Sequence, residues 1–161
     1  MIVPTAADML KTVAQTFESV IKPELTNTAT RSAAASVGTM LRIATLRIET
    51  EGQILHEERL KLNALLPQVA AWLSGEGRAI PASIASRPRL AEEVYPSLAI
   101  MADEVGVLRQ GVCDALEALQ GLNLNATGRQ LLTDMHAYVA WQLEQEGRMI
   151  VPATVGHGPR R

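Results

Sequence analysis

The chain has little of several things. It has one cysteine, Cys113, in 161 residues. That excludes an intramolecular disulfide and any metal site built from several thiolates. Aromatic residues make up 3% of the chain, so Leu, Ile, Val, Met and Ala must fill the core, which suits helix against helix. Charge of one sign is also missing. A net charge of −2 gives no general attraction to nucleic acid or to an anionic membrane. No apolar run approaches the roughly 20 residues that a membrane span needs; Arg42, Arg47 and Glu49 interrupt the most apolar stretch. The start, Met1-Ile2-Val3-Pro4-Thr5, lacks the basic and long apolar regions of a secretion signal. The expectation is a cytoplasmic protein that contacts neither nucleic acid nor membrane.

Known catalytic patterns are scarce as well. There is no Gly-x-Gly-x-x-Gly, phosphate loop or nucleophile elbow; Gly75-Glu76-Gly77 has glycine spacing without a flanking strand. A di-metal carboxylate bundle needs Glu-x-x-His pairs. His56 is preceded at that spacing by Gln53 and His136 by Thr133, while His157 lies in the tail. The sequence therefore supports no catalytic residue, metal site or cofactor.

Helical periodicity is abundant. Thr5 and Asp8 form a capping-box pattern, followed by Leu10, Val13, Phe17, Val20 and Ile21 as one apolar stripe. Pro23 should stop that helix. A second helix is expected from Asn27 or Thr30 to about Glu51, with Val37, Met40, Leu41, Ala44 and Ile48 buried. Its small residues Ala33 to Ser36 and Gly38 permit close approach of a neighbour. Glu49, Glu51 and Gly52 suggest a break. A third helix should cover Gln53 to Leu66, and Pro67 should begin another short one. Residues 74–88 read as a linker pinned by Ile80 and Ile84. Arg89 to Tyr95 suggest a turn. Leu98, Met101, Val105, Leu108, Val112, Ala115, Leu116 and Leu119 form the longest seam, and Cys113 is expected beside it as a small core residue. Gly106 and Gly111 each cost about 1 kcal/mol against Ala inside a helix, which close packing would justify. A last helix spans about Ala126 to Glu146, with Leu131, Leu132, Met135, Val139 and Leu143 inward. These elements add up to an all-α, antiparallel four- to five-helix bundle. One domain is expected over residues 1–150, followed by a flexible C-terminal tail over 151–161.

The candidate site residues are few. Arg42 and Arg47 stand in an otherwise apolar stretch. They are about 140° apart around a helix, so they cannot share one tight site unaided. Glu51 is placed to pair with Arg47. Arginine at such a position suits anion binding or docking to a partner, and Arg160 and Arg161 would add to that in the tail. His136 and Asp134 near the inward face of the last helix form an alternative, acid–base or ligand-binding pocket. His56, Glu57, Glu58 and Arg59 read as a solvated charge run.

Three motifs carry a resemblance: Pro4-Thr5-Ala6-Ala7-Asp8-Met9-Leu10, Val20-Ile21-Lys22-Pro23-Glu24-Leu25, and an alanine-rich helix ending in Leu41-Arg42-Ile43 and Leu46-Arg47-Ile48-Glu49. Together they resemble a small bacterial helical family of unknown function, whose members occur beside aminoglycoside-phosphotransferase-like kinases and acyl-CoA dehydrogenases. The resemblance implies an accessory protein that supports such a kinase in phosphorylating hydroxyacyl-CoA, as in levulinate breakdown. It implies a partner protein and carries over no catalytic residue. Two alternatives stand beside it: a small-molecule-binding bundle or unfamiliar enzyme around His136 and Asp134, and a homodimeric scaffold in which the chain partners itself.

Overall fold

The computed structural model describes residues 4–86 and 96–150. Among them every regular element is helical: α1 (Ala6–Thr16), α2 (Thr28–Gly75), α3 (Ala82–Ala85), α4 (Leu98–Leu119) and α5 (Ala126–Arg148). The all-α class expected from periodicity is what the chain adopts. None of these helices is long and apolar enough to cross a membrane. The turn expected over Arg89 to Tyr95 and the tail over 151–161 lie outside the described residues.

The described residues divide into two compact units, one formed by those up to Glu51 together with those from Glu146, the other by those of Gly52–Gln145. In the first unit, α1 begins at the expected capping box. Thr5 Oγ1 accepts from the Asp8 N–H at 3.1 Å, and Asp8 Oδ2 accepts from the Thr5 N–H at 3.0 Å. These bonds to Thr5, its hydroxyl first, hold the Asp8 carboxyl below the usual carboxylate range. A π-helical turn (Phe17–Ile21) and a 3₁₀ turn (Lys22–Glu24) close the helix around Pro23. Asn27 Oδ1 then accepts from the Ala29 N–H at 2.8 Å and starts α2. Lys11 pairs with Glu49, and Glu18 lies by Gly38 and Arg42, so α1 runs antiparallel to the first part of α2.

The expected breaks at Gly52 and Pro67 do not occur: α2 is continuous over 48 residues. A proline inside a helix removes one N–H and clashes with the preceding turn. Here Leu62, Leu65, Leu66, Val69 and Leu73 are all buried around Pro67, and that packing overrides the local penalty. The helix ends in a Schellman motif. Gly77 has φ +67°, its N–H donates to Ser74 O, and the Arg78 N–H donates to Leu73 O, the arrangement for which glycine past the last turn is favoured.

The second unit holds the core: Leu62, Leu65, Leu66, Val69 and Leu73 of α2, Leu108, Val112, Ala115 and Leu119 of α4, and Leu131, Met135 and Tyr138 of α5. From Met101 to Leu119 the α4 seam is placed as its spacing requires, while Leu98, expected in it, is 44% exposed in the first turn. Contacts give the directions. Leu55 clusters with Met101 and Val105, and Leu66 reaches Gly111, so α2 and α4 run parallel. Trp72 meets Gly128, and Glu58 meets Tyr138, so α5 runs antiparallel to both. The long connection between α2 and α4 permits the parallel pair. Within it α3 buries Ile84 completely, while Ile80 stays 39% exposed. Ser83 donates to Asp114 Oδ2 at 2.5 Å. That bond, with a second from Gln110, lowers the Asp114 pKa. Gly111 admits Leu66 of α2: a Cβ there would stand 3.1 Å from Leu66 Cδ1 and, in ordinary contact, 3.6 Å from Ile84 Cγ1 of α3. Gly106 faces open space, so close packing does not explain it.

Several expected burials are absent. Cys113 is exposed, because Val112 and Ala115 occupy the inward positions on either side of it. Leu143 is exposed and Gln145 buried.

Trp72 also depends on glycine. It packs against Gly128, where a Cβ would fall 2.7 Å from Trp72 Cζ2, and its indole N–H donates to Asn125 Oδ1. We expect Gly128→Ala to destabilise the protein by about 1–3 kcal/mol through overpacking. Leu66→Ala should cost about 2–5 kcal/mol. Met40→Ala, at a side chain 71% exposed, should stay within about 0.5 kcal/mol. Equilibrium denaturation of the three variants checks this.

Candidate functional site

Among the described residues, three places hold chemistry-bearing side chains: a buried charge cluster and a groove in the second unit, and the helical hairpin of the first. The charge cluster escaped the sequence reading. Glu58 and Arg59, expected on a solvated face, are 0% and 4% exposed. The Glu58 carboxylate accepts from Arg109 Nε at 2.7 Å and from a second guanidinium nitrogen at 2.8 Å, and from the Tyr138 hydroxyl at 2.6 Å. Arg59 Nε lies 2.6 Å from Glu104 Oε2. Acid then base on α2 thus meets base and acid on α4, two crossed pairs about one helical turn apart. A buried carboxylate needs this enclosure, because an unpaired buried charge costs several kcal/mol. The arrangement pins the register of three helices. The one signal in the sequence was that 58 and 59 share the inward side with Leu55, Leu62 and Leu66.

Burial, above all, raises the Tyr138 pKa well above the ordinary phenol value, and the hydrogen bond to the Glu58 carboxylate adds to it; Arg109 opposes. The ring of Tyr138 faces a different space. With Leu65 it floors a groove between α2 and α5 of about 340 Å³. Lys61 and Trp141 stand at one end and Gln68 and Asp134 at the other, with Ala64 and Ala137 along the sides. The Lys61 ammonium lies 5.1 Å from the centroid of the Trp141 ring, and the Tyr138 and Trp141 rings are 6.3 Å apart. Asp134, one of the expected pocket residues, does line this groove. His136 does not: it is exposed, about 160° around α5 from Asp134. The two do not form an acid–base pair; Met135 between them takes the inward place.

In the first unit Arg42 turns toward α1, with one guanidinium nitrogen 3.8 Å from Glu18 Oε1 and the other donating to Thr39 Oγ1 at 3.1 Å. Gly38 lies beneath it, where a Cβ would meet the Glu18 carboxylate tip, which would have to shift. Arg47 is exposed and lies 3.9 Å from Glu51, the pairing that their spacing anticipates. The two arginines are therefore not brought together. Arg160 and Arg161 lie outside the described residues.

The apolar stripes of this hairpin are left largely uncovered. Met9, Val13, Val20 and Ile21 near α1, and Val37, Met40 and Ile48 on α2, are 43–71% exposed. The α1-facing side of α2 carries Ala34, Gly38, Arg42, Thr45 and Glu49 instead. That side is about 110° around the helix from Val37, Met40, Ala44 and Ile48. The face expected to be buried was the more apolar one; the face actually used is the one whose small residues admit α1.

Among the described residues no three His, Cys, Asp or Glu side chains converge as a metal site would need. Comparison with family models, with curated proteins and with solved structures finds no match to this chain.

The phenol gives a pH prediction. A folded-state pKa raised above the unfolded value of 10.0 contributes stability that is complete below about pH 10 and is lost as pH rises beyond it. We expect the wild type to lose stability there with an extra slope of about one proton relative to Tyr138→Phe. Ultraviolet titration should show one of the two tyrosines ionising only on unfolding, and Tyr138→Phe should remove that phase.

Proposed function

We propose that the chain is a non-catalytic accessory subunit that docks on a partner protein through α1 and the first part of α2. In line with the resemblance of its N-terminal motifs, the partner is a phosphotransferase-like kinase acting on hydroxyacyl-CoA. One observation carries the reading. Among the described residues of the first unit, the only buried apolar side chain is that of Ala34. A hairpin of two helices gains most of its stability from an apolar face covered by something else, and this one leaves seven large apolar side chains at least 43% exposed. A second protein surface would complete its core.

The charges favour an apolar contact. Lys11 pairs with Glu49, Lys22 and Arg42 with Glu18, and Arg47 with Glu51, so the face presents little net charge to a partner. Arg47 sits on the rim, where an arginine stem can cover apolar surface while its head stays in water. Association through such a face depends on buried area and only weakly on salt.

Co-purification of the tagged chain from its native host, and with the kinase of a neighbouring gene, tests the proposal. The expected result is a complex that persists as salt is raised. Met40→Asp should weaken it by more than about tenfold, since the contact would bury an unpaired carboxylate, while the melting temperature of the isolated chain stays unchanged. A lone monomer with no partner would overturn the reading. A stable dimer of the chain alone, dissolved by Met40→Asp, would give the face to a second copy instead.

A further inference from the structure

The groove between α2 and α5 has ends of opposite charge, and no described residue supplies either end with a counter-charge. No carboxylate among the described residues pairs with Lys61, whose ammonium rests over the Trp141 ring. At the far end Asp134 accepts a hydrogen bond from Gln130 at 2.8 Å and meets no cation among the described residues. Gln68 spends its amide N–H₂ on Ala64 O, which leaves its side-chain oxygen as an acceptor at the same end. The middle is apolar, floored by Leu65 and the Tyr138 ring. Ala64 and Ala137 flank it, both exposed, at positions where a longer side chain would fill the trough.

The dimensions are set by the helices. Lys61 and Gln68 are seven residues apart on α2, and Asp134 and Trp141 seven apart on α5, so each end-to-end span is about 10 Å at 1.5 Å per residue. Because the helices are antiparallel, Lys61 stands beside Trp141 and Gln68 beside Asp134. The floor is rigid: Leu65 belongs to the core, and the Tyr138 hydroxyl is held by the buried Glu58. The open groove's volume of about 340 Å³ falls at the lower end of the roughly 300–1,000 Å³ of small-molecule sites, which combine an apolar lining with a few placed polar groups.

We infer that this groove binds an elongated ω-amino carboxylate: its carboxylate at Lys61, its ammonium at Asp134 and the Gln68 oxygen, and its methylenes over Leu65, Ala64 and Ala137. The molecule reverses the polarity of the groove and matches its length. This site shares no residue with the docking face on α1 and α2, and it stands whether or not a partner protein binds there.

The probe is 8-aminooctanoate, whose extended chain spans the two charged ends, added to the full-length chain labelled with nitrogen-15. Saturable shifts of backbone amides around Ala64 and Ala137 are expected. Lys61→Met and Asp134→Asn should each weaken binding about fivefold, the worth of one exposed charge pair. Octanoate, which lacks the ammonium, should bind about fivefold more weakly than the probe, and 4-aminobutyrate, too short to bridge, more weakly still. Ala137→Phe should block the trough at an exposed position and leave the melting temperature unchanged. Absence of saturable shifts overturns the assignment. So does octanoate binding as well as the probe, or binding that neither charge variant alters.

Discussion

The second unit depends on one enclosed carboxylate. Glu58 is fully buried, and its oxygens take two hydrogen bonds from Arg109 on α4 and one from Tyr138 on α5. Leucine seams are tolerant partners: one helix can slide a turn along another and still bury apolar area. A buried charge does not tolerate this, because every alternative register leaves it without a counter-ion. The crossed pair of Arg59 with Glu104 repeats the constraint a step away. Through it α2 and α4 run parallel in fixed register, and the groove between α2 and α5 inherits a floor whose tyrosine cannot turn.

The two units manage apolar surface in opposite ways. The second closes a core of large side chains, with glycines at 111 and 128 where Leu66, Ile84 and Trp72 come closest. The first brings two helices together over Ala34 and Gly38 and leaves its larger apolar residues outside. That contrast leaves the second unit with a filled core and the first with exposed apolar stripes. The ion pairs along the hairpin link α1 to α2 through Lys11 and Glu49 and through Glu18 and Arg42. They fix its geometry while leaving the apolar stripes available.

Much of the local structure was legible in the residues. The Thr5–Asp8 capping box, the stop near Pro23, the start of α2 at Asn27, the α4 seam from Met101 to Leu119 and the Arg47–Glu51 pair all follow from spacing and chemistry within a few residues. The candidate sites were less legible. Asp134 does line a groove, but His136 points elsewhere, and Lys61, Gln68 and Trp141 are brought to Asp134 only by the pairing of α5 with α2. Cys113 and Leu143 were expected inside because their neighbourhoods are apolar, yet each falls between the positions that face the core.

The sequence by itself determined that this chain is helical, where most of its helices begin, and which stripe of α4 turns inward. These are consequences of interactions reaching three or four residues along the backbone. Tertiary structure decided the rest. It carried α2 unbroken through Gly52 and Pro67; at Pro67 the buried leucines on both sides outweigh a local penalty of a few kcal/mol. It turned Glu58 and Arg59 from an apparent surface run into a buried clasp, and it chose the small-residue side of α2 over the more apolar side. Such choices depend on which partner surface arrives, and that is fixed by residues from 24 to 80 positions away in the chain, as Glu18 is from Arg42 and Glu58 from Tyr138.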